Sequence, residues 1–272
     1  QVDILESLPE AGGMLRYGIP EYRLPKEVLD LEINQILDLG PTLRTNVALG
    51  RDFTIAGLKD EGYDAIFLGI GAWETSKMRV QDEETPGVLP GIEFLKDYGL
   101  RRAERLSGRV LVVGGGNTAI DCARTAWRLG ANEVRLLYRR TRAEMPAIKP
   151  EIEGALEEGV QIEFLAAPVE VLVKDGAAVG MRCIRMDLGE PDRSGRPRPV
   201  PRAGSEFDLP ATTIIAAISQ EPDFGPVAGL RTGKDSIKID DWGTTSIPDV
   251  YAGGDDVALG LVSIAIGQGR FA

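Results

Sequence analysis

This sequence predicts an α/β protein with a mainly parallel sheet, and three stretches predict it. VLVVGGGNTAIDCAR, residues 110–124, reads as a strand, a glycine turn and a helix. Val134–Tyr138 follows Gly130 as a second strand, which makes residues 109–140 one βαβ unit. DVYAGGDDVALGLVSIAIGQGR, residues 249–270, repeats the strand–glycine–helix order.

Bulk composition narrows the function. The 272 residues suffice for one large domain or two ordinary ones. Hydrophobic residues make up 43% and charged residues 27%, the ordinary range for globular chains. The net charge is −11 and no long basic run offsets it, so nucleic acid and anionic membrane are not expected partners. No apolar run reaches bilayer-spanning length and no signal peptide opens the chain, so a cytoplasmic location is expected. Cys122 and Cys183 lie far apart, there is no CxxC, and histidine is absent. A thioredoxin-type dithiol, a four-cysteine metal site and a histidine-dependent triad are therefore excluded. Both cysteines read as small core residues, no metal site is expected, and an enzyme of this composition leaves its chemistry to a cofactor.

Taken in order, QVDILE alternates as a strand. KEVLDLEINQIL carries Val28, Leu29, Ile33, Ile36 and Leu37 at helical spacing and stops at Gly40-Pro41. A short strand is expected around 43–49, and YDAIFLGIGA is a buried strand running into glycines. Residues 74–107 read as a connection, with ETPGVLPG as turn chemistry and IEFLKDYGLRRAERL as a helix. After the βαβ unit come a helix around 150–158 and a strand at 161–165. EVLVKDGAAVGMRCIRM reads as a hairpin closed by Asp175-Gly176. GEPDRSGRPRPVPRAG reads as an exposed loop on composition, and ATTIIAAIS as a buried strand.

The turn at 114 reads as a nucleotide site by its chemistry, with a glycine turn that holds no ligand as the alternative. Gly114 permits a tight turn, Gly116 lets the backbone approach a pyrophosphate, and Ala119 keeps the helix close to the strand. The N–H groups and dipole of the helix start favour phosphate, and Asn117 and Thr118 add polar side chains there. Ile120, Ala123 and Trp127 mark one face of the helix. At the tip of the second strand an acid would receive a ribose 2′-OH, but Tyr138-Arg139-Arg140 stands there instead. Arg139 and Arg140 suit a 2′-phosphate, which points to NADPH; a solvated basic strand end is the alternative.

GGMLRYGIPEYRLPKEV, VVGGGNTAIDCARTAWRLGA, YRRTRAEMPA and YAGGDD…AIGQGR occur in this order. In that combination the chain resembles the small (beta) subunit of NADPH-dependent glutamate synthase and the related flavin module of dihydropyrimidine dehydrogenase. The resemblance covers nearly the whole chain. It implies an FAD/NAD(P)-binding, Rossmann-like, three-layer fold in which an NADPH domain is inserted into a flavin domain. The expected division is 1–105 and 222–272 for the flavin-type domain and 106–221 for the NADPH domain. By the same resemblance Glu6 holds the FAD adenosine ribose, Gly12, Gly13 and Leu15 pass close to the flavin nucleotide, Gly71 follows the returning strand, and Asp255 lies near the ribityl chain.

The family's own FAD glycine fingerprint lies upstream of Glu6 and is not in this sequence, nor is its cysteine-rich iron–sulfur domain. The stretch after Asp255 is about one residue shorter than usual, and Ser219 replaces a common glycine. The expectation is a fragment of a longer flavoprotein that binds NADPH, holds FAD weakly or not at all by itself, and has iron–sulfur clusters only in the missing N-terminal part. Electrons would pass from NADPH through FAD to those clusters and an accepting partner, such as a glutamate synthase large subunit. No catalytic acid or base is assigned, because the protein supplies positioning and electrostatics. The alternative is a regulatory or assembly module that kept the fold without electron transfer.

Overall fold

The structure is a computed structural model that describes residues 1–272 except 193–194, 228, 231 and 234–235. From the N-terminus the elements are β1 (Asp3–Leu5), α1 (Gly13–Tyr17), α2 (Lys26–Leu37), β2 (Thr42–Arg44), α3 (Ile55–Asp60), β3 (Ile66–Leu68) and β4 (Glu74–Thr75). Next come β5 (Val88–Pro90), α4 (Gly91–Gly99), β6 (Arg109–Val113), α5 (Asn117–Arg128), β7 (Glu133–Tyr138), α6 (Lys149–Glu157) and β8 (Gln161–Phe164). The last are β9 (Ala166–Lys174), β10 (Ala177–Pro191), β11 (Pro197–Pro210), β12 (Thr213–Ala216), β13 (Gln220–Glu221), β14 (Val250–Ala252) and α7 (Val262–Phe271). Two compact units result, one of residues 1–74 with 220–272 and one of residues 75–219.

The 75–219 unit has three layers. Its centre is a five-stranded sheet in the order β5-β12-β6-β7-β8, parallel throughout. Strand periodicity sends Val110 and Val112 to one face, where they join Ile120, Ala123 and Ala126 of α5, Phe94 and Leu95 of α4, and Ile152 and Ala155 of α6. Leu111 and Val113 point the other way, onto Val171, Met181, Cys183 and Leu209 of the antiparallel sheet β11-β10-β9. With both faces covered, β6 and β12 are continuous apolar runs, as parallel strands are.

Two sequence expectations change here. ETPGVLPG was expected to be turn only, but it contains the edge strand β5, in register with β12 from Val88–Ile214 to Pro90–Ala216. Helix α4 then packs on α5, so residues 75–105 belong to this unit and the boundary at 105 moves to about 74–75. The Pro/Arg-rich run expected as a loop is the far half of a long hairpin, β10–β11. Pro197, Pro199, Pro201 and Pro210 are accommodated because β11 is the edge of its sheet. Composition said loop, and edge position made it strand.

In the unit of residues 1–74 and 220–272, β1 pairs with β2 and β3 with β14, each as a two-stranded parallel ladder. The segment at 250–252 therefore joins β3, not β6. The core gathers Ile55, Leu58, Ile66, Leu68, Val227, Ile237, Val250 and Ala252. Of the apolar stripe expected on α2 only Leu29 is buried, while Val28 and Ile36 are 49% and 54% exposed. Helix α7 buries none of its residues. Among the described residues, no helix is long and apolar enough to cross a membrane.

Candidate functional site

The glycine turn between β6 and α5 is built by three different constraints. Gly114 has φ 151°, and a Cβ there would stand 2.2 Å from the Ala217 carbonyl oxygen at the end of β12. A Cβ on Gly115 would come within 2.4 Å of the Tyr138 ring. Gly116 is the N-cap of α5 in extended conformation, which any residue can adopt, and a Cβ there would meet nothing within 4 Å. Packing explains the first two glycines and leaves the third for something outside the fold. No side chain caps α5. An uncapped helix start beside an open glycine is what a bound pyrophosphate needs.

Residues after β7 wrap this turn. The Tyr138 hydroxyl donates to the Glu144 carbonyl at 2.7 Å, and the Gly115 carbonyl accepts from Ala147 N–H at 3.2 Å. Thr141 and Glu144 form a capping box around the short 3₁₀ turn Arg142–Glu144. Asn117 Oδ1 accepts from Ile148 N–H at 2.9 Å, so this side chain holds residue 148 near the helix start. Thr118 is half-buried in the first turn. Two glycines and an aromatic at a strand end were legible as a pattern, but that Gly115 serves Tyr138 was not.

The two arginines at the strand tip separate. Arg139 is exposed and makes no ion pair among the described residues. Burial of its stem and the charges of Arg140 and Arg196 lower its pKa. Arg140 is 2% exposed, donates Nε to the Pro197 carbonyl at 2.7 Å and pairs with Asp192 at 2.6 Å. The two guanidiniums expected at a 2′-phosphate differ in setting: Arg140 is engaged inside the fold, and Arg139 is the exposed one.

The residues expected on the flavin side all lie in the unit of residues 1–74 and 220–272: Glu6 follows β1 of one ladder, Gly71 and Asp255 follow the two strands of the β3–β14 ladder, and Gly12, Gly13 and Leu15 lie at α1. Glu6 follows β1, and its Oε1 accepts from Leu8 N–H at 2.8 Å. Gly12 and Gly13 have φ 124° and 49°, and a Cβ on Gly13 would meet nothing within 4 Å. The Leu15 carbonyl accepts from Lys26 Nζ at 2.9 Å. Gly71 has φ 71° after β3. Asp255 Oδ1 accepts from Gly260 N–H at 3.1 Å, bracing the loop before α7. Its neighbour Asp256 is fully buried, with Oδ2 accepting from Ile70 N–H at 3.3 Å, and burial pushes its carboxyl up to about 7. Helix α1, the first helix after Glu6, is five residues long, against twelve for α5.

Thiol chemistry does not fit. Cys122 and Cys183 are buried and unpaired to each other. Burial raises the Cys122 thiol well above its ordinary range and the Cys183 thiol to about 12, so neither is a thiolate at neutral pH. Among the described residues, no group of three or more Cys, Asp or Glu could hold a metal ion.

A family model described as pyridine nucleotide-disulphide oxidoreductase matches residues 12–269. The chain belongs to this family. The NADP(+)-dependent formate dehydrogenase subunit beta of Moorella thermoacetica is 47% identical over 99% of this chain and 39% of its own length. The NADPH-Fe(3+) oxidoreductase subunit beta of Geobacter sulfurreducens is 44% identical over 95% of this chain and 39% of its own. The glutamate synthase [NADPH] small chain of Escherichia coli is 35% identical over 98% of this chain and 61% of its own. The chain thus spans about two fifths of the first two and three fifths of the third. Mycobacterium tuberculosis FprA in complex with NADPH superposes with TM-score 0.85 at 18% identity, covering 99% of this chain and 75% of FprA. T. acidophilum thioredoxin reductase gives 0.71 at 17% identity, covering 100% and 88%. The fold is that of FAD/NAD(P)-binding oxidoreductases.

Proposed function

We propose that this member of the family is the NADPH-accepting part of a larger flavin-dependent electron-transfer oxidoreductase. Gly116 carries the reading: it is a glycine that neither the backbone nor any neighbour requires, at the uncapped start of a 12-residue helix. Arg139 at the neighbouring strand tip supplies the cation that favours NADPH over NADH. When bound, NADPH supplies a hydride and FAD accepts it and passes electrons on singly. The chain's contribution is to hold: α5 receives the pyrophosphate charge, the Tyr138–Gly115 contact fixes the turn, and Asn117 fixes the segment beside it. Glu6, Gly13, Leu15, Gly71 and Asp255 would hold the flavin together with protein beyond this chain, where iron–sulfur clusters would supply one-electron acceptors.

Three relatives name NADP or NADPH, and two are beta subunits of formate dehydrogenase and Fe(3+) oxidoreductase with higher identity than the glutamate synthase small chain. This supports a paralogue of the glutamate synthase small subunit that serves a partner subunit, over that subunit itself.

Gly116→Ser tests the reading. Serine fits the open space and the extended backbone and is a good N-cap, so stability should hold or rise. Its hydroxyl would occupy the helix N–H groups, so NADPH affinity should fall about tenfold, the loss of one charge-assisted hydrogen bond. A variant that binds NADPH as tightly as wild type, measured by calorimetry, would remove the site from α5.

A further inference from the structure

We infer that Asp256 is a positioning residue for the flavin: buried itself, it ties the loop after β3 to the loop after β14 and so fixes Gly71 and Asp255 relative to each other. The inference rests on the flavin side of the reading above.

Three segments meet at Asp256. Its Oδ2 accepts from Ile70 N–H at 3.3 Å, just beyond the end of β3. Its carbonyl accepts from Ile237 N–H at 2.8 Å. Strands β3 and β14 pair in parallel from Val250–Ile66 to Ala252–Leu68, so the loops after them leave the same end of the ladder. Gly253 N–H extends the ladder by donating to the Leu68 carbonyl at 3.1 Å. Beyond that bond the Asp256 side chain carries the link between the two loops.

The two neighbours of this link are the residues expected at the flavin. Gly71 follows Ile70 directly and has φ 71°, which glycine adopts without strain. Asp255 precedes Asp256; its Oδ1 accepts from Gly260 N–H at 3.1 Å, and its Oδ2 has no partner among the described residues. One oxygen of Asp255 therefore braces its loop and the other is left for a ligand hydroxyl.

Stability alone does not call for an acid at position 256. Asp256 is fully buried, and its Oδ1 has no hydrogen-bond partner among the described residues. Burying a carboxyl without its full set of partners is costly, and an apolar side chain of similar size would fill the site at less cost. What the acid supplies, and an apolar residue cannot, is the acceptor for Ile70 N–H. Burial pushes this carboxyl up to about 7, and a carboxamide copies its protonated form.

The test uses the 272-residue chain with Asp256→Asn and Asp256→Val, FAD as the titrant and amide hydrogen exchange as the second readout. Asparagine keeps an acceptor for Ile70 N–H, whereas valine is close to aspartate in size and has none. In Asp256→Val the weak FAD affinity should fall about tenfold, the loss of one charge-assisted hydrogen bond from a displaced Asp255. The Ile70 amide should exchange about tenfold faster or more, because its closed state has lost its acceptor. Ile66 N–H, which donates to the Asp249 carbonyl at 3.0 Å at the other end of the ladder, should keep its wild-type rate. Asp256→Asn should restore both FAD affinity and Ile70 protection. A core role alone would speed Ile66 together with Ile70, and that result overturns the inference. So does unchanged FAD binding in Asp256→Val, or an asparagine variant that behaves like valine. A wild-type chain with no saturable response to millimolar FAD removes the flavin reading instead, and it is told apart from a failed link because Ile70 exchange still separates valine from asparagine.

Discussion

The ring of Tyr138 closes over Gly115 so tightly that a Cβ there would lie 2.4 Å from both Cδ2 and Cε2. The same tyrosine donates to Glu144, and Gly115 accepts from Ala147. Strand end, glycine turn and the segment after it are thereby one clamp, and the helix start beside Gly116 takes its position from that clamp.

Gly115→Ala should therefore lower stability by about 1–3 kcal/mol, the range for overpacking a filled site. In a domain this size that is a drop of several degrees in Tm. NADPH binding should weaken with it, because the turn must shift. A variant melting at the wild-type temperature would show that Tyr138 moves aside freely.

Arg139→Ala should weaken NADPH binding about tenfold or more, since a hydrogen bond to a charged group contributes roughly 1.5–3 kcal/mol. NADH affinity should change little, because it lacks the 2′-phosphate. Equal losses for both nucleotides in parallel titrations would refute the assignment.

Glu158 sits between Arg124 and Arg128. Burial pushes its carboxyl up, but the bonds from Arg128 and Arg124 outweigh this and hold it at about 2. A depressed folded pKa stabilises above the ordinary value of 4.5, and that stability is lost as pH falls from 4.5 toward 2. Glu158→Gln should lose about 1–2 kcal/mol at neutral pH, after allowing for solvent screening. Urea unfolding at pH 7 and near pH 3 should show the gap narrowing at the lower value, and a gap independent of pH would rule out the pairing.

Asp256 gives the opposite slope. With its carboxyl raised to about 7 by burial, the folded chain keeps a proton that the unfolded chain releases near 3.8. Stability should fall as pH rises from about 4 to 7 and level off above, by a few kcal/mol at most. Asp256→Asn keeps an oxygen for Ile70 N–H and removes the titration, so its Tm should lose that slope. Parallel wild-type and variant melting curves across pH 4–8 would refute it.

FAD should bind this chain weakly. Glu6 and Asp255 follow strands of two different ladders, and α1, the first helix after Glu6, is too short to offer two phosphate charges a full helix start. A visible-absorbance titration should show little flavin shift, whereas tight stoichiometric binding would show that these residues suffice alone.

The βαβ unit, the glycine turn and both buried cysteines were readable from residues alone, because strand and helix periodicities and glycine spacing are local properties. Helix α2 was readable too, to its end residues, though its apolar stripe gave no hint that only Leu29 is covered. Tertiary structure decided what composition left ambiguous. The prolines of β11 are tolerated because that strand is an edge, and Val88–Pro90 is a strand because β12 offers it a partner. It also decided the candidate site. Two adjacent arginines look alike in sequence, yet at the end of β7 one reaches solvent and the next is drawn under the β10–β11 turn by Asp192, 52 residues away. Strand alternation sends neighbours to opposite sides, but only the folded chain supplies a distant carboxylate to bury one of them.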